Sequence, residues 1–444
     1  MTPFRLLFSI LAIAFAINAT NAQRIEDVLA SSTGLTYKAS SLSPRGQKFY
    51  LEQRKMLSGA RTELLDEMIA KDVLELESKA QNVSSDKLLE TQRAKAPEPT
   101  AAEIQTTYDR NQSVIGGAPL AEVRKDIVEF LKHDAEQKQV ESYIRELRAK
   151  HKVTVGKDVN AFGLGPTDVV VTIADRPVTF AAFSDANRIR LNDDEVEIYD
   201  EIRSDLESAI FSTLVTEEAK ARSIDPSGVI AVEITDKLRD FSDEERASLE
   251  SDLMRKLFTK YNVKISLAEP KRIVHNVSVD DDPSTGKPDA PVTVVMFTDF
   301  QCPACSRTHP VLKKALSAYG DKVRFVVRDY PLEKIHENSF NAALAANAAR
   351  AQGKFAEYTD ILYRNQQALD KASLIKYATE LGLNVKQFEL DFSDAKTAAE
   401  VKKDQADGKS YGIAGTPAIF VNGVKVQRLS LMGFRSAVDR ALAR

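Results

Sequence analysis

The two cysteines of this chain stand three apart, Cys302-Pro303-Ala304-Cys305, directly after the strand-like run Val292-Thr293-Val294-Val295-Met296-Phe297. The placement constrains more than the motif does. When the first cysteine opens a helix at the end of a β-strand, its sulfur sits where the helix N-terminus favours negative charge, and it ionises at a lower pH than a free thiol. The second cysteine, one helical turn on, is close enough to close a disulfide. The pattern predicts a redox-active dithiol in which Cys302 attacks and Cys305 resolves, with Pro303 and Ala304 forming the loop between them. Other readings compete. A structural disulfide spanning two residues would remove little entropy from the unfolded chain. Half a zinc site needs further ligands, and the sequence has no second cysteine pair and no close-spaced pair among His133, His151, His275, His309 and His336. Copper or zinc handling by the paired thiolates is the remaining rival. The dithiol reading calls for no metal and no cofactor.

The N-terminal residues bear on compartment. Arg5 is followed by an uncharged apolar run over residues 6–17 and then by Thr20-Asn21-Ala22, with small residues where a signal peptidase cuts. This reads as a signal peptide over residues 1–22, cleaved after Ala22, and it predicts a periplasmic or secreted protein. An uncleaved anchor is the alternative, although the run is short for a bilayer span. An oxidising compartment suits disulfide chemistry. With 61 basic and 65 acidic residues interspersed and no basic stripe, nothing points to nucleic acid.

The 444 residues suggest about three domains. Residues 23–269 read as almost wholly helical. Leu65, Ile69, Val73 and Leu76 recur at helical spacing, as do Val123, Ile127, Phe130 and Leu131. Thr100 with Glu103 forms a capping box after the proline-rich break at residues 96–99. A long helix is predicted over residues 120–150. An internal repeat divides this half into residues 23–160 and 161–269. Leu35-Thr36-Tyr37-Lys38-Ala39 resembles Val178-Thr179-Phe180-Ala181-Ala182, and residues 77–83 resemble 218–224. Each half closes on a helix and a short strand, at residues 150–155 and 260–265. Chance similarity between Ala/Glu/Lys-rich helices is the competing explanation.

The turn-rich stretch at residues 280–288 marks the way into a third domain, residues 270–444. Its predicted order is β-α-β, an alanine-rich helical insert over residues 337–409 with Gly353 and Gly382 as helix stops, then β-β-α with a tight turn at Asn422-Gly423. Gly415-Thr416-Pro417 precedes the hairpin. A proline there is expected only at a strand start or edge.

The segments FTDFQCPAC at residues 297–305, Tyr330-Pro331-Leu332 with His336, Gln352-Gly353-Lys354-Phe355, and GTPAIFVNG at residues 415–423 together resemble the DsbA-like thioredoxin family. The resemblance covers residues 274–444. It implies a thioredoxin fold with a helical insertion, and an exported thiol–disulfide oxidoreductase with Cys302 as nucleophile. It also implies a cis-proline at Pro417, with Thr416 and Pro417 pairing with substrate. One departure stands out: many thioredoxin-fold enzymes carry a buried acid six residues before the first cysteine, where this chain has Met296, leaving Asp299 as the nearest acid. His309 is expected on the helix surface. The helical half is similar, in its helices at residues 64–83 and 100 onward and its helix-then-strand ending at 143–155, to the peptide-binding region of SurA-like chaperones.

These readings define a multidomain chain, an all-α N-terminal half followed by an α/β thioredoxin fold. The expected activity is protein thiol–disulfide exchange, oxidase over isomerase or reductase, with a helical client-binding arm. Expected partners are unfolded or cysteine-containing clients and a redox partner protein, with homo-oligomerisation through the helical half as a further role. A non-enzymatic holdase is the rival from another class.

Overall fold

The computed structural model describes residues 23–443, so the expected signal peptide lies outside the described residues. The first elements are a hairpin, β1 (Val28–Ser32) and β2 (Leu35–Lys38), turned at Gly34, whose φ of 79° suits a residue without Cβ. Four helices follow: α1 (Pro44–Gln81), α2 (Ser85–Arg93), α3 (Ala101–Arg110) and α4 (Leu120–Lys150). Thr100 and Glu103 form the expected reciprocal capping box on α3. After the short strand β3 (Thr154–Val155) the pattern restarts with a hairpin, β4 (Val169–Ile173) and β5 (Arg176–Thr179). Helices α5 (Phe180–Arg222), α6 (Pro226–Glu233) and α7 (Asp243–Lys260) follow, closed by β6 (Lys264–Ile265).

The helical half therefore also carries two small three-stranded sheets, and their pairing is exchanged. Strand β6, at the end of the second half, pairs antiparallel with β1 at the start of the first, whereas β3 pairs with β4. The described residues fall into two compact units, residues 54–191 and residues 23–53 with 192–443. Hydrogen bonds of β3 to β4 bridge the expected cut at 160/161, and those of β1 to β6 tie the N-terminal hairpin to the end of the second half. The short strands expected at the ends of the two halves are β3 and β6; what local pattern does not reveal is that β6 pairs with β1, at the other end of the helical half.

Equivalent positions in the two halves share local geometry. Helices α1 and α5 end at left-handed Asn82 (φ 53°) and Ser223 (φ 55°), with Val83 N donating to Ser78 O at 3.1 Å and Ile224 N to Ala219 O at 3.0 Å. Helices α4 and α7 end alike at Lys152 and Asn262, both with φ of 50°. One turn before each of the first two stops sits a buried carboxylate. Glu77 accepts hydrogen bonds from Lys150, His151 and Gln81. Glu218 accepts from Arg222 Nε at 2.7 Å, Lys260 Nζ at 2.5 Å and Tyr261 OH at 3.1 Å. Burial pushes the Glu218 carboxyl up, but these donors hold it below the usual range.

The C-terminal domain is built on a five-stranded mixed sheet ordered β11-β10-β8-β9-β7. Its members are β7 (Ser284–Thr285), β8 (Val292–Thr298), β9 (Val323–Asp329), β10 (Ala418–Val421) and β11 (Val424–Lys425). Strand β8 runs parallel to β9 and antiparallel to β10. Helix α8 (Pro303–Ser317) makes the crossover between β8 and β9. The insert comprises α9 (Ser339–Ala351), α10 (Phe355–Arg364), α11 (Lys371–Glu380), α12 (Val385–Phe392) and α13 (Ala395–Ser410), and α14 (Leu431–Leu442) ends the domain. Strand β8 is an almost continuous apolar run because both its faces are covered. Val292, Val294 and Met296 face a core shared with α8, α9 and α14, while Val295 and Phe297 pack with Tyr330, Ile413 and Phe420 on the other face. Full burial of such side chains contributes roughly 1.5–3 kcal/mol each.

Ion pairs fasten this domain to the helical segment within the same unit. On α14, Arg435 donates to Asp252 Oδ1 at 3.0 Å and to Ser248 Oγ at 2.8 Å on α7. Lys425 Nζ and Gln427 Nε2 share Asp193 at 2.5 and 2.7 Å.

Removing the Glu218 carboxylate leaves the half-buried Arg222 and Tyr261 and the exposed Lys260 without this acceptor. Glu218→Ala is expected to lower unfolding free energy by about 1–3 kcal/mol, read from the denaturant midpoint at neutral pH. Glu75→Ala, on an exposed face of α1, is expected to leave the midpoint unchanged. Because the folded Glu218 pKa is depressed, the difference from wild type is present above the ordinary carboxylate pKa and is expected to shrink as pH falls below about 4.

Candidate active site

Strand β8 ends at Thr298, and Asp299, Phe300 and Gln301 turn the chain into α8. Asp299 fixes that turn. Its buried carboxylate accepts from Gln301 N at 2.7 Å through Oδ1, and from Leu332 N at 2.9 Å and His336 Nδ1 at 2.7 Å through Oδ2. One side chain thus joins the cysteine loop to the segment after β9. The Asp299 carbonyl also accepts from Cys302 N at 3.1 Å. From the insert, Gln366 Nε2 donates to Phe300 O at 3.0 Å and to Cys302 O at 2.8 Å. Gln301 Oε1 in turn accepts from Asn338 N at 2.8 Å.

Cys302 is the N-cap of α8, with Pro303 at the first helical position, where a missing N–H costs nothing. Both thiols are free, and Cys305 is wholly buried while Cys302 keeps a little exposure. The Cys302 thiol is drawn down to about 5. A hydrogen bond from Cys305 is the main cause; burial opposes it, and the backbone N–H groups of Cys305 and Ala304 reinforce it. Burial, together with its hydrogen bond to Cys302, pushes the Cys305 thiol far above the ordinary range. The environment therefore gives the two sulfurs opposite characters, one a thiolate at neutral pH and the other a thiol.

Facing them is the loop before β10. The Thr416–Pro417 peptide bond is cis, and the Cys302 thiol donates to Thr416 O at 3.5 Å. The antiparallel register Ala418↔Phe297 brings that loop to the cysteine end of β8. Cys302, Pro303, Ala304, Cys305, Thr416 and Pro417 therefore lie together although more than a hundred residues separate the two segments.

His309 departs from expectation. It is buried, its ring 5.0 Å from that of Tyr363 and 6.1 Å from that of Phe325, and burial lowers its pKa to about 4. The helical insert covers the face of α8 that sequence spacing left open. Met296 is fully buried in the apolar core. Sequence reasoning missed Tyr363 and Gln366, which reach the cysteine loop from the insert and carry no local motif. It also missed Thr298, whose hydroxyl is 2.7 Å from Tyr363 OH. Among the described residues no group of three or more His, Cys, Asp or Glu side chains is arranged to hold a metal, and no helix is long and apolar enough to cross a membrane.

Residues 278–440 match the family model for thioredoxin, and the C-terminal domain is thioredoxin-like. Over 154 residues the chain is 34% identical to the Na(+)/H(+) antiporter NhaA 1 of Mycolicibacterium gilvum, which is 34% of this chain and 25% of that protein. Over 147 residues it is 38% identical to Na(+)/H(+) antiporter NhaA 3 of Salinispora tropica, covering 33% of this chain and 22% of that protein. The chain thus spans about a quarter of the length of the curated relatives it matches. Among solved structures it is similar to a thioredoxin-like oxidoreductase from Silicibacter pomeroyi DSS-3, at 30% identity over 37% of this chain and 93% of that one, with a TM-score of 0.34. BdbD from Bacillus subtilis is similar at 22% identity over 39% of this chain and all of that one, with a TM-score of 0.35.

Alkylation of the reduced protein tests the electrostatics directly. With its pKa near 5, Cys302 is expected to react with iodoacetamide at a rate that is flat above about pH 6 and falls through pH 5, because only the thiolate attacks. Cys305 is expected to stay unlabelled in the folded protein. A Cys302 midpoint near that of a free thiol, or earlier labelling of Cys305, would reverse the assignment of roles.

Proposed function

We propose that the chain is a thiol–disulfide oxidoreductase acting on cysteines of polypeptide clients. The observation that carries this reading is the pair of opposed thiols at the start of α8, with the Cys302 thiol drawn down to about 5 and, in its protonated form, donating to the Thr416 carbonyl, and with Cys305 buried one turn on. In the oxidising direction a client thiolate attacks Cys302 of the Cys302–Cys305 disulfide, Cys305 leaves, and a mixed disulfide forms. A second client thiolate then attacks its own partner sulfur and releases Cys302 as thiolate. The client has lost two electrons and the enzyme has gained them, to be passed to a redox partner protein. Stabilising the Cys302 thiolate favours the reduced enzyme, which makes its disulfide the more oxidising. This supports oxidase over isomerase or reductase.

The helical half is proposed to hold extended or unfolded clients near Cys302, as the expected likeness to a peptide-binding chaperone region implies. Val114, Phe130 and Phe162 stand exposed in this half and are the apolar side chains such a client would meet. A second bound site raises the client's effective concentration without new contacts at the first. Export to an oxidising compartment completes the reading.

Two full-length variants separate enzyme from holdase. Cys305→Ser is expected to accumulate mixed disulfides with an unfolded client that carries a disulfide, because the Cys302 thiolate attacks that bond, one client sulfur leaves as thiolate, and no Cys305 remains to resolve the product. The double variant Cys302→Ser/Cys305→Ser is expected to lose all oxidation of the same client in its reduced form while still suppressing its aggregation. Unchanged client oxidation by the double variant would exclude the dithiol as the active group. Loss of aggregation suppression together with oxidation would exclude a separate client-binding arm.

A further inference from the structure

We propose that the buried hydroxyl pair Thr298–Tyr363 supplies the hydrogen bond that lets Cys305 react as a thiolate, taking the place of the acid that Met296 displaces. The inference rests on the dithiol reading above. It starts from a problem the site poses. Cys305 lies in the apolar core with Met296, Phe300 and Leu312 around it, and such surroundings oppose forming a charge. Yet exchange requires that charge, because Cys305 leaves as thiolate when a client thiolate opens the Cys302–Cys305 disulfide and attacks as thiolate in the reverse step. Cys305 must lose its proton and attack Cys302, forming the Cys302–Cys305 bond as the Cys302–client bond breaks. The client sulfur leaves with the electron pair and ends as the thiol.

The polar atoms available to help are few. Residues 296 and 298 of β8 share a face, since alternate strand positions point the same way. Thr298 is therefore the next position along from Met296, and it is almost wholly buried, as is Tyr363. Their hydroxyls are 2.7 Å apart. Tyr363 is held in place because its carbonyl accepts from Ser306 Oγ at 3.1 Å, the residue that follows Cys305 on α8. Thr298 is held because its carbonyl accepts from Tyr330 N at 2.7 Å. With Tyr363 donating to Thr298, the Thr298 hydroxyl proton is left to turn toward Cys305; a backbone hydrogen bond at Asp299, then the Thr298 hydroxyl, then the Thr416 side chain oppose the burial that pushes the thiol up. Two hydroxyls in series polarise one another, so a thiolate at Cys305 meets an oriented donor and not hydrocarbon alone. Thr298 and Tyr363 are positioning residues in this scheme; they exchange no electrons.

Other titratable groups face the same space and have to be separated from the effect. Cys302 and His309 lie on α8, the latter kept neutral by burial at about 4. Asp299 lies in the turn and its charge bears on Tyr363, as does that of Asp329 at the end of β9, which burial pushes up to about 8. Asp329 is the group whose titration overlaps the range of interest.

The full chain, with Cys302 carrying 2-nitro-5-thiobenzoate as a mixed disulfide, reports resolution directly, because attack by Cys305 releases the chromophore. Thr298→Val removes the donor at nearly constant volume. It is expected to slow release about tenfold at neutral pH and to move the pH–rate profile up by about one unit. Tyr363→Phe is expected to act in the same direction but less, and Thr298→Ser to restore both rate and profile. Alkylation of Cys302 in the reduced protein is expected to be unchanged in Thr298→Ser and Tyr363→Phe. An unmoved profile in Thr298→Val, or a serine variant as impaired as the valine one, would overturn the proposal. The same would follow if the shift vanished in an Asp329→Asn background, which would assign it to Asp329. Failure of the wild-type protein itself to release the chromophore would instead overturn the dithiol reading on which this inference rests.

Discussion

The site depends on how β8 is paired. Its parallel register with β9 and antiparallel register with β10 leave its C-terminal end flanked on both sides. One flank delivers Leu332 and His336 to the Asp299 carboxylate, and the other delivers Thr416 and Pro417 to the Cys302 sulfur. A slip of either register by one residue would turn Met296 and Phe297 to the wrong cores and carry the two loops out of reach. The apolar faces of β8 therefore do two things at once. They stabilise the domain, and they hold the polar groups of the dithiol site in place. That arrangement explains why a site with so few charged groups still gives its two sulfurs opposite properties.

The insert extends the same logic. Helix α10 covers α8 and contributes Tyr363, and the segment after it contributes Gln366, which accounts for the carbonyls of Phe300 and Cys302. Further along, Arg328 at the end of β9 is fully buried among Asp282, Asp404 and Asp407 and so ties the sheet to α13. A buried arginine among carboxylates is costly unless its donors are met, and here three acids surround it. The surplus of acid is met by protonation, since burial and the nearby Asp404 push Asp282 up to about 9, and the cluster ties α13 to the end of β9.

Much of this was legible in the sequence because it is local. The strand before Cys302, the helix it opens, the capping box at Thr100, the helix stops at Gly353 and Gly382 and the turn at Asn422-Gly423 all follow from residues near one another. What was not legible depends on distant partners. Strand β6 pairs with β1 at the other end of the helical half, and that exchange between halves left no local mark. His309 was read as a surface residue because helical spacing cannot show that α10 lies over it. By local pattern Thr298 is an ordinary strand residue, and only the fold sets Tyr363 opposite it. In the turn of β4–β5 the left-handed residues are Ala174 and Asp175, without the glycine that would have flagged a hairpin.

The proposed oxidising role requires that stabilising the Cys302 thiolate make the Cys302–Cys305 disulfide an electron acceptor for client thiols. Equilibration of the full chain with glutathione buffers of graded ratio measures it most directly. The account predicts a potential more oxidising than about −200 mV, on the side of known disulfide donors. A value near the roughly −270 mV of a thioredoxin-type reductant would contradict it.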